Sequence, residues 1–298
     1  MAIAVATGFF DGVHRGHRQV IRTLVQTAHG RGDESLVLTF WPHPRVLLQK
    51  DAASLRLLTS QAEKVAMLKS LGVDRVEVLE FTREFAALDT RSYLSSVVRD
   101  GFGADTIVLG YDNSIGSDML PPEQSAAIAR SLGMDVLVVP PCLDSGEFPV
   151  SSTRIRAALS DGRVDEASGM LGWDYSLGGV VVSGNRIGRT IGFPTANMQL
   201  SEPRLQVPAN GVYLVRVALG GRTFYGMTNI GVRPTVGKGG GLTIETNIFD
   251  FDEDIYGMDL QVCFLRRMRE EIHFSSLQEL AAQLDEDKKA CRLLLGEI

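Results

Sequence analysis

Two histidines and three glycines follow the first apolar, β-rich run of the chain, in the stretch TGFFDGVHRGH at residues 7–17. A turn from a strand into a helix leaves backbone N–H groups unpaired at the helix N-terminus, and these groups, with the helix dipole, favour a bound phosphate. His14 and His17 are spaced so that both imidazoles can donate hydrogen bonds to charge that develops on phosphorus. The stretch predicts a site for phosphate transfer, with a turn-and-cap role for both histidines as the alternative.

A second candidate group is VSSTRIR at residues 150–156. Ser152 or Thr153 can cap a helix that begins here, while Arg154 and Arg156 supply positive charge for a polyphosphate. A plain capped surface helix contains the same residue types. The motif therefore indicates a polyphosphate site only in combination with the two histidines.

The third group is the glycine-rich stretch GNRIGRTIGFPTAN at residues 184–197. Its glycines allow backbone amides to line a phosphate path. Thr195 and Asn197 are two apart on an extended chain, so they point the same way, and their neutral oxygens suit Mg²⁺. The alternative is an ordinary turn followed by a strand.

A carboxylate follows in the strand-like run LTIETNIFDF at residues 242–251. Carboxylates are depleted from strands with apolar neighbours unless they have a function or a partner. Glu245 is therefore a candidate general base that accepts a proton from an attacking hydroxyl. The alternative is an outward-facing strand residue.

Other metal and nucleotide motifs fail on spacing. Zinc sites need three or four ligands at close intervals, whereas the remaining histidines and all cysteines are isolated: His29, His43, His273, Cys142, Cys263 and Cys291. GVRPTVGK at residues 231–238 has one residue too many for a Walker A loop, and GFGADT at residues 101–106 lacks the third glycine of a dinucleotide fingerprint.

The chain has 298 residues, 44% of them hydrophobic, which predicts two globular domains. Its net charge of −6 argues against general electrostatic binding of nucleic acid. We find no signal peptide and no run of about 18 apolar residues. With three isolated cysteines, a cytoplasmic protein without a membrane partner is expected. The sequence leaves the oligomeric state open.

The residues that carry this chemistry must be positioned by two different architectures. Up to about residue 172, β-rich runs at 2–7, 36–40, 76–81, 106–111 and 136–140 alternate with helical spacing, as at residues 16–30. This pattern predicts a doubly wound, Rossmann-like parallel sheet, in which ligands bind at the carboxyl ends of strands.

From residue 175 onward, short glycine-punctuated β runs predict a small closed antiparallel barrel, with a hairpin at Gly220-Gly221. A Ser-x-x-Gln signal at Ser275 or Ser276 predicts an amphipathic C-terminal helix. The predicted domains are 1–174 and 175–298.

H-x-G-H after the first strand and S-S-T-x-I-R after the fifth resemble the nucleotidyltransferase superfamily that shares its catalytic core with class I aminoacyl-tRNA synthetases. Together with the second half, essentially the whole chain resembles the bacterial bifunctional riboflavin kinase/FAD synthetase family. The segments that carry the resemblance are GFFDGVHRGH, TFWPHPR, SSTRIR, GRTIGFPTAN, NIGVRPT, IETNIFDF and FLRRMREEIHFSSLQEL.

The resemblance implies two reactions. The barrel would phosphorylate riboflavin to FMN with ATP and Mg²⁺, releasing ADP, and the first domain would adenylylate FMN to FAD, an FMN adenylyltransferase reaction that releases pyrophosphate.

The resemblance also implies site residues. In the barrel, Glu245 would be the kinase base, Thr195 and Asn197 would bind Mg²⁺, and further ATP or flavin contacts would come from Gly188, Arg189, Gly192, Phe193, Pro194, Asn229 and Arg269. In the first domain, His14 and His17 would be catalytic, and ATP would also contact Gly8, Phe9, Asp11, Asp112, Ser152, Thr153 and Arg156.

One stretch departs from the family pattern. Where the family reads G-x-D-F-x-F-G, residues 110–116 read GYDNSIG, so Asn113 and Ile115 replace two aromatic rings that offer stacking area. The alternative function is therefore a riboflavin kinase with a weakened or lost adenylyltransferase site, acting partly as a flavin-binding regulatory protein. A second alternative is adenylylation of another phosphorylated acceptor.

Overall fold

The computed structural model describes residues 2–48, 55–184, 187–232 and 241–296. The chain forms two compact units, Met1–Ser152 and Thr153–Ile298. One contains a five-stranded parallel sheet and the other a closed antiparallel barrel, which confirms the predicted fold class. The functional boundary after residue 174 stays a prediction.

The sheet of the first unit has the strand order β3-β2-β1-β4-β5, and every neighbouring pair is parallel. Because the chain moves outward from β1 to β3 and then returns to the other side of β1, the strand order reverses beside β1, where such sheets bind ligands. The five predicted runs are all strands, with bounds shifted by two residues at most: β1 (Ile3–Thr7), β2 (Glu34–Trp41), β3 (Arg75–Glu80), β4 (Ala104–Gly110) and β5 (Asp135–Val139).

Helices cover both faces of this sheet. Alternate residues of β1 enter two cores: Ala4 and Ala6 pack with Leu24 on one face, and Val5 packs with Leu94 on the other. The described helical segments are a 3₁₀ turn (Asp11–Val13), α1 (Arg15–Arg31), α2 (Pro44–Leu48), α3 (Gln61–Ser70), α4 (Arg83–Ala86), α5 (Thr90–Ser92), a π-helix (Tyr93–Arg99), α6 (Asp100–Phe102) and α7 (Pro122–Ser131).

The second unit is a barrel with the strand order β10-β7-β6-β11-β8-β9. Helix α8 begins at the end of the first unit, and α9 packs against the last barrel strand. The strands are β6 (Ser176–Val182), β7 (Ala196–Leu200), β8 (Gly211–Leu219), β9 (Arg222–Val232), β10 (Leu242–Ile248) and β11 (Asp259–Arg269), and the helices are α8 (Ser152–Ser160), α9 (Val164–Leu171), α10 (Ile187–Thr190) and α11 (Leu277–Gly296).

The predicted C-terminal helix is confirmed, but its cap differs from the expected one. The N–H of Glu279 donates to Ser276 Oγ, and the Glu279 carboxylate accepts from the N–H and hydroxyl of Ser275. The cap is therefore Ser-x-x-Glu rather than Ser-x-x-Gln, because Gln278 lies one position too early in the first turn. Over the described ranges, no helix is both long and apolar enough to cross a bilayer.

The turn between β8 and β9 offers a test of how much backbone geometry contributes to the stability of the barrel. Gly220 and Gly221 have φ angles of 55° and 76°, the left-handed region that a two-residue type I′ hairpin needs at both positions. A side chain at Gly221 would meet no neighbouring atom, so substitution there tests backbone strain alone.

We expect Gly221→Val to lower the free energy of unfolding of the barrel by roughly 1–2 kcal/mol, because a β-branched residue is strained at positive φ. Gly221→Asn is the matched control, since asparagine tolerates this region and should cost less. Urea unfolding followed by circular dichroism measures both variants. Equal losses would contradict the backbone explanation.

Candidate active sites

The turn after β1 combines strained backbone with a buried anchor. Phe10 and Val13 are not glycines, yet their φ angles are 56° and 37°, a region that costs energy unless its surroundings enforce it. The buried Asp11 carboxylate accepts hydrogen bonds from the N–H groups of Leu58 and Thr59 at 2.9 and 3.4 Å. Asp11 therefore fixes the turn and is not free to act as a base.

His14 and His17 lie together at the N-terminus of α1. Their rings stack with centroids 3.6 Å apart and planes 18° from parallel, and His14 Nδ1 accepts from the His17 N–H at 3.4 Å. Burial, followed by the neighbouring His14 and Lys64, holds the pKa of His17 well below its usual range. The two imidazoles lie together, and His14 also caps the helix, as the turn-and-cap alternative expects. A role for the pair in phosphate transfer stays a prediction.

Two glycines make this packing possible. A Cβ at Gly16 would lie 3.2 Å from the His14 ring, and one at Gly8 would lie 3.2 Å from the Phe10 ring. Both distances are shorter than ordinary van der Waals contact. Close approach of the rings therefore explains Gly8 and Gly16.

The SSTRIR segment meets this turn through Ser152, whose hydroxyl donates to the Asp11 carbonyl at 3.1 Å. Thr153 is exposed, and Arg156 is half-buried in α8. Asp112 lies on an exposed turn after β4, and its carboxylate raises the pKa of the neighbouring Tyr111, after the larger effect of burial. Of these predicted ATP contacts, the structure brings Ser152 to the turn.

An aromatic cavity of about 480 Å³ opens at the carboxyl end of β1. Phe40, Phe81 and Phe85 form a cluster with centroids 5.6–5.8 Å apart. The described lining residues are Thr7, Gly8, Phe9, Phe40, Pro44, Leu48, Phe81, Phe85, Ala86, Leu88, Tyr93, Asn113, Ser114, Ile115, Gly116, Ser117 and Met119. Neither imidazole is among them; the histidine turn reaches this cavity through Gly8 and Phe9.

The departure from the family pattern lies in the wall of this cavity. Asn113 Nδ2 donates to the Thr7 carbonyl at 2.9 Å, and Ile115 is buried in the core beside Tyr93. The two replacements therefore hold the loop against β1. The aromatic rings in the wall of this cavity belong to other elements instead.

Sequence reasoning missed Lys64, which is 1% exposed on α3. Its Nζ lies 3.7 Å from the centroid of the Phe9 ring and has no hydrogen-bond partner among the described residues. Burial lowers the pKa of Lys64 to about 7, and the nearby Asp11 carboxylate opposes this shift. The available signal was the helical spacing that puts Lys64 on the buried face with Leu68, four residues away.

In the barrel, three neighbouring strands bring predicted site residues into one row. Glu245 on β10 stands opposite Asn197 on β7 and opposite Asn229 on β9. Residues directly opposite in antiparallel pairs project from the same face. The Thr195 hydroxyl donates to Glu245 Oε2 at 3.4 Å, so four residues from three motifs converge.

Two cavities adjoin this row. One of about 330 Å³ is mostly apolar and contains Glu245, and its described lining includes Gly188, Ile191, Phe193, Thr195, Val212, Met227, Asn229, Arg269, Phe274 and Leu284. The other, of about 220 Å³, is lined by Arg189, Pro194, Thr195 and residues 251–256 among others. Thr195 lines both. Asn197 and Gly192 are not among the described lining residues of either.

Close backbone approach explains two glycines of the glycine-rich stretch. A Cβ at Gly188 would lie 2.2 Å from the Phe193 carbonyl oxygen, and one at Gly184 would lie 2.3 Å from Asn197 Nδ2. Residues 185–186 and 233–240, which include most of GVRPTVGK and the end of NIGVRPT, lie outside the described residues.

Arg269 lines the larger cavity, but its charge is already paired. Its guanidinium donates to both oxygens of the buried Asp287 on α11, at 2.7–3.0 Å. A charge-assisted pair of this kind fixes the arginine. Arg269 therefore joins the end of β11 to the C-terminal helix at the cavity wall.

Two further barrel features escaped sequence reasoning. Asn247 Nδ2 donates to the Pro194 carbonyl at 2.7 Å and so fixes the segment that carries Thr195. The acidic residues Asp252, Glu253 and Asp254, to which the sequence analysis assigns no role, line the smaller cavity.

Two protein families match this chain, one in each half. The family model for FAD synthetase matches residues 1–154, and the model for riboflavin kinase matches residues 171–295.

Full-length relatives share both halves. A bifunctional riboflavin kinase/FMN adenylyltransferase of Listeria monocytogenes is 34% identical over 99% of this chain and 93% of its own. The Escherichia coli K12 protein of the same description is 36% identical over 97% and 91%. A crystal structure from Streptococcus pneumoniae described as a macrolide-efflux protein has a TM-score of 0.90 at 35% identity, covering 98% of this chain and 94% of that one.

The buried lysine yields a prediction about stability. The pKa of Lys64 falls from its usual 10.5 to about 7 on folding, so between pH 10.5 and 7 the unfolded chain holds a proton that the folded chain releases. Lys64 therefore destabilises the fold increasingly as the pH falls through this range, with a constant penalty below pH 7. We expect Lys64→Met to stabilise the first unit by roughly 2–4 kcal/mol at pH 7, and by little at pH 10.

Thermal and urea unfolding at both pH values measure this gain. Lys69→Met is the matched control, since Lys69 is exposed on the same helix and should leave stability unchanged. A Lys64→Met variant that is less stable than the parent at pH 7 would show that the ammonium is compensated in the folded protein.

Proposed function

The chain belongs to the riboflavin kinase/FMN adenylyltransferase family, and on that basis we propose that it makes FAD from riboflavin in two ATP-dependent steps. The first step forms a bond between the riboflavin 5′-oxygen and the γ-phosphorus of ATP and releases ADP. The second forms a bond between an FMN phosphate oxygen and the α-phosphorus of ATP and releases pyrophosphate. The observation that carries this proposal is that each unit assembles its own constellation, one of stacked imidazoles and one around Glu245.

For the kinase step, we assign the larger, apolar cavity to the riboflavin ring and the smaller cavity to ATP. Thr195 lies between them and contacts Glu245, so a hydroxyl in the larger cavity would meet a phosphate near these two residues. Glu245 is then placed to accept the proton of that hydroxyl. Charge neutralisation and positioning would supply most of the remaining acceleration.

We propose that ATP enters this site with Mg²⁺. Thr195, Asn197 and Glu245 can each present an oxygen atom to a cation, and oxygen is the ligand type that Mg²⁺ prefers when waters and phosphates complete its shell. Among the described residues there is no group of three or more His, Cys, Asp or Glu side chains that suits a softer metal. When bound, the ion would offset charge on the transferred phosphoryl group.

For the adenylyl step, we propose that His14 and His17 hold the ATP phosphates at the N-terminus of α1. A neutral His17 can donate one hydrogen bond without the cost of burying an imidazolium. Charge that moves toward the leaving pyrophosphate is then stabilised by preorganised donors. Asp11 and Ser152 hold the turn, while direct contacts of Thr153 and Arg156 with ATP remain predictions.

The aromatic cavity of the first unit is our candidate for the flavin ring of FMN. Five rings line it, Phe9, Phe40, Phe81, Phe85 and Tyr93, and aromatic faces provide stacking area for a planar ligand. Because the turn with both imidazoles is intact, we favour a competent first unit over one reduced to flavin binding. The three cysteines form no disulfide in the described part of the chain, which suits our proposed cytoplasmic location.

The role of Glu245 is tested by Glu245→Gln, which keeps the shape of the side chain and removes the base. We expect riboflavin phosphorylation to fall by about 10²–10⁴-fold, with FAD formation from added FMN unchanged. Chromatography of the products measures the first rate in an incubation with riboflavin, ATP and Mg²⁺, and the second in a separate incubation with FMN, ATP and Mg²⁺.

The control is Glu286→Gln, a change of the same kind on the exposed surface of α11. FMN formation at the parental rate in Glu245→Gln would refute the general-base assignment.

The imidazole pair is tested by His17→Ala, for which we expect FAD formation from FMN to fall by about 10²–10³-fold. Riboflavin phosphorylation should be unaffected, because the barrel carries that reaction. His29→Ala is the control on the same helix, since His29 makes an exposed contact with Asp74. Equal loss of both activities in His17→Ala would contradict the division of labour between the units.

A further inference from the structure

Several buried polar atoms beside the histidine turn lack partners among the described residues. They are His17 Nδ1, Lys64 Nζ and both polar atoms of the Gln61 amide. Buried polar groups are hydrogen-bonded in the large majority of cases, and a buried ammonium is almost always paired. Two of these atoms, Lys64 Nζ and Gln61 Nε2, are donors, and a ligand with acceptor oxygens would satisfy them.

The start of α3 is held against the histidine turn. Leu58 and Thr59 donate their N–H groups to the Asp11 carboxylate, and the Ser60–Glu63 capping box then begins the helix. Lys64 sits one turn further on. Its position relative to the imidazole pair is therefore set by the same carboxylate that fixes the turn.

Asp11 does not neutralise Lys64. Its carboxylate accepts from two backbone N–H groups, and the Lys64 ammonium has no hydrogen bond to it. Burial lowers the pKa of Lys64 even though the Asp11 carboxylate attracts its charge. An anion bound beside the amine would favour its charged form and supply the hydrogen bonds that it lacks among the described residues.

The ammonium of Lys64 lies over the face of the Phe9 ring, with Nζ 3.7 Å from the ring centroid. Phe9 also lines the aromatic cavity, so Lys64 packs against a residue of the cavity wall, and its charge also helps to lower the pKa of His17. A cation–π contact is weaker than a charge-assisted hydrogen bond to phosphate. A phosphate that reaches this point would displace the ring.

We propose that Lys64 is a further phosphate-binding residue of adenylyl transfer, and that its ammonium binds where the acceptor phosphate meets the α-phosphoryl group of ATP. Two anions must approach each other there, and a cation at that point offsets their repulsion as the new P–O bond forms and the bond to pyrophosphate breaks. This inference rests on the proposed role of the imidazole pair.

The test compares Lys64→Met and Lys64→Arg with the control Lys69→Met in the full-length enzyme. We expect Lys64→Met to lose FAD formation from FMN by about 10²-fold, within the range for loss of one preorganised donor. Riboflavin phosphorylation in the same protein should stay within twofold, and the melting temperature at pH 7 should not fall. Lys64→Arg should recover part of the rate, because it restores the charge with a different geometry.

The Michaelis constants identify the phosphate. A rise confined to KM for FMN assigns Lys64 to the acceptor phosphate, and a rise confined to KM for ATP assigns it to the triphosphate. A loss in kcat alone assigns it to the transition state, and each of these results supports phosphate binding.

Two results would overturn the inference. One is FAD formation within twofold of the parent in Lys64→Met, and the other is a lower melting temperature with loss of both activities, which would make the lysine structural. Measurement of His17→Ala alongside separates the two hypotheses: if it loses FAD formation while Lys64→Met retains it, only the lysine assignment fails, and if both variants retain it, the proposed site itself fails.

Discussion

The hydrogen bonds of the buried Asp11 carboxylate are the interaction on which the first unit depends. They draw the segment before α3 onto the turn after β1, while the carbonyl of the same residue receives Ser152 from the start of α8. Three segments distant in sequence are thereby joined at one residue. The left-handed backbone of Phe10 is tolerated because these contacts enforce it.

The barrel solves the same positioning problem by strand register. Side chains on β7, β10 and β9 lie in a row because the pairing of Glu245 with Asn197 and with Asn229 leaves no freedom to slip. A shift of one residue would send all of them to the opposite face. Strand pairing in the closed sheet therefore positions the side chains of the barrel site. In the first unit, the hydrogen bonds of Asp11 position the turn instead.

Much of the fold could be predicted from sequence because buried parallel strands read as apolar runs and glycine marks the hairpin of the barrel. The candidate residues of H-x-G-H and P-T-A-N could also be predicted, because glycine spacing and the chemistry of donor side chains can be read from a short stretch of sequence. Lys64 was not, because a lysine in a helix becomes unusual only when tertiary packing removes its solvent. The effect of Asn113 was also hidden, since its hydrogen bond reaches Thr7 in a distant strand.

The shared position of Thr195 has a thermodynamic consequence. Thr195 lines both barrel cavities, and its hydroxyl donates to Glu245, so displacement of this residue by an occupant of one cavity alters the wall of the other. Linkage requires such an influence to be reciprocal: the factor by which the first occupant changes affinity for the second equals the factor in the reverse direction. The order in which the two occupants arrive therefore leaves the stability of the ternary complex unchanged.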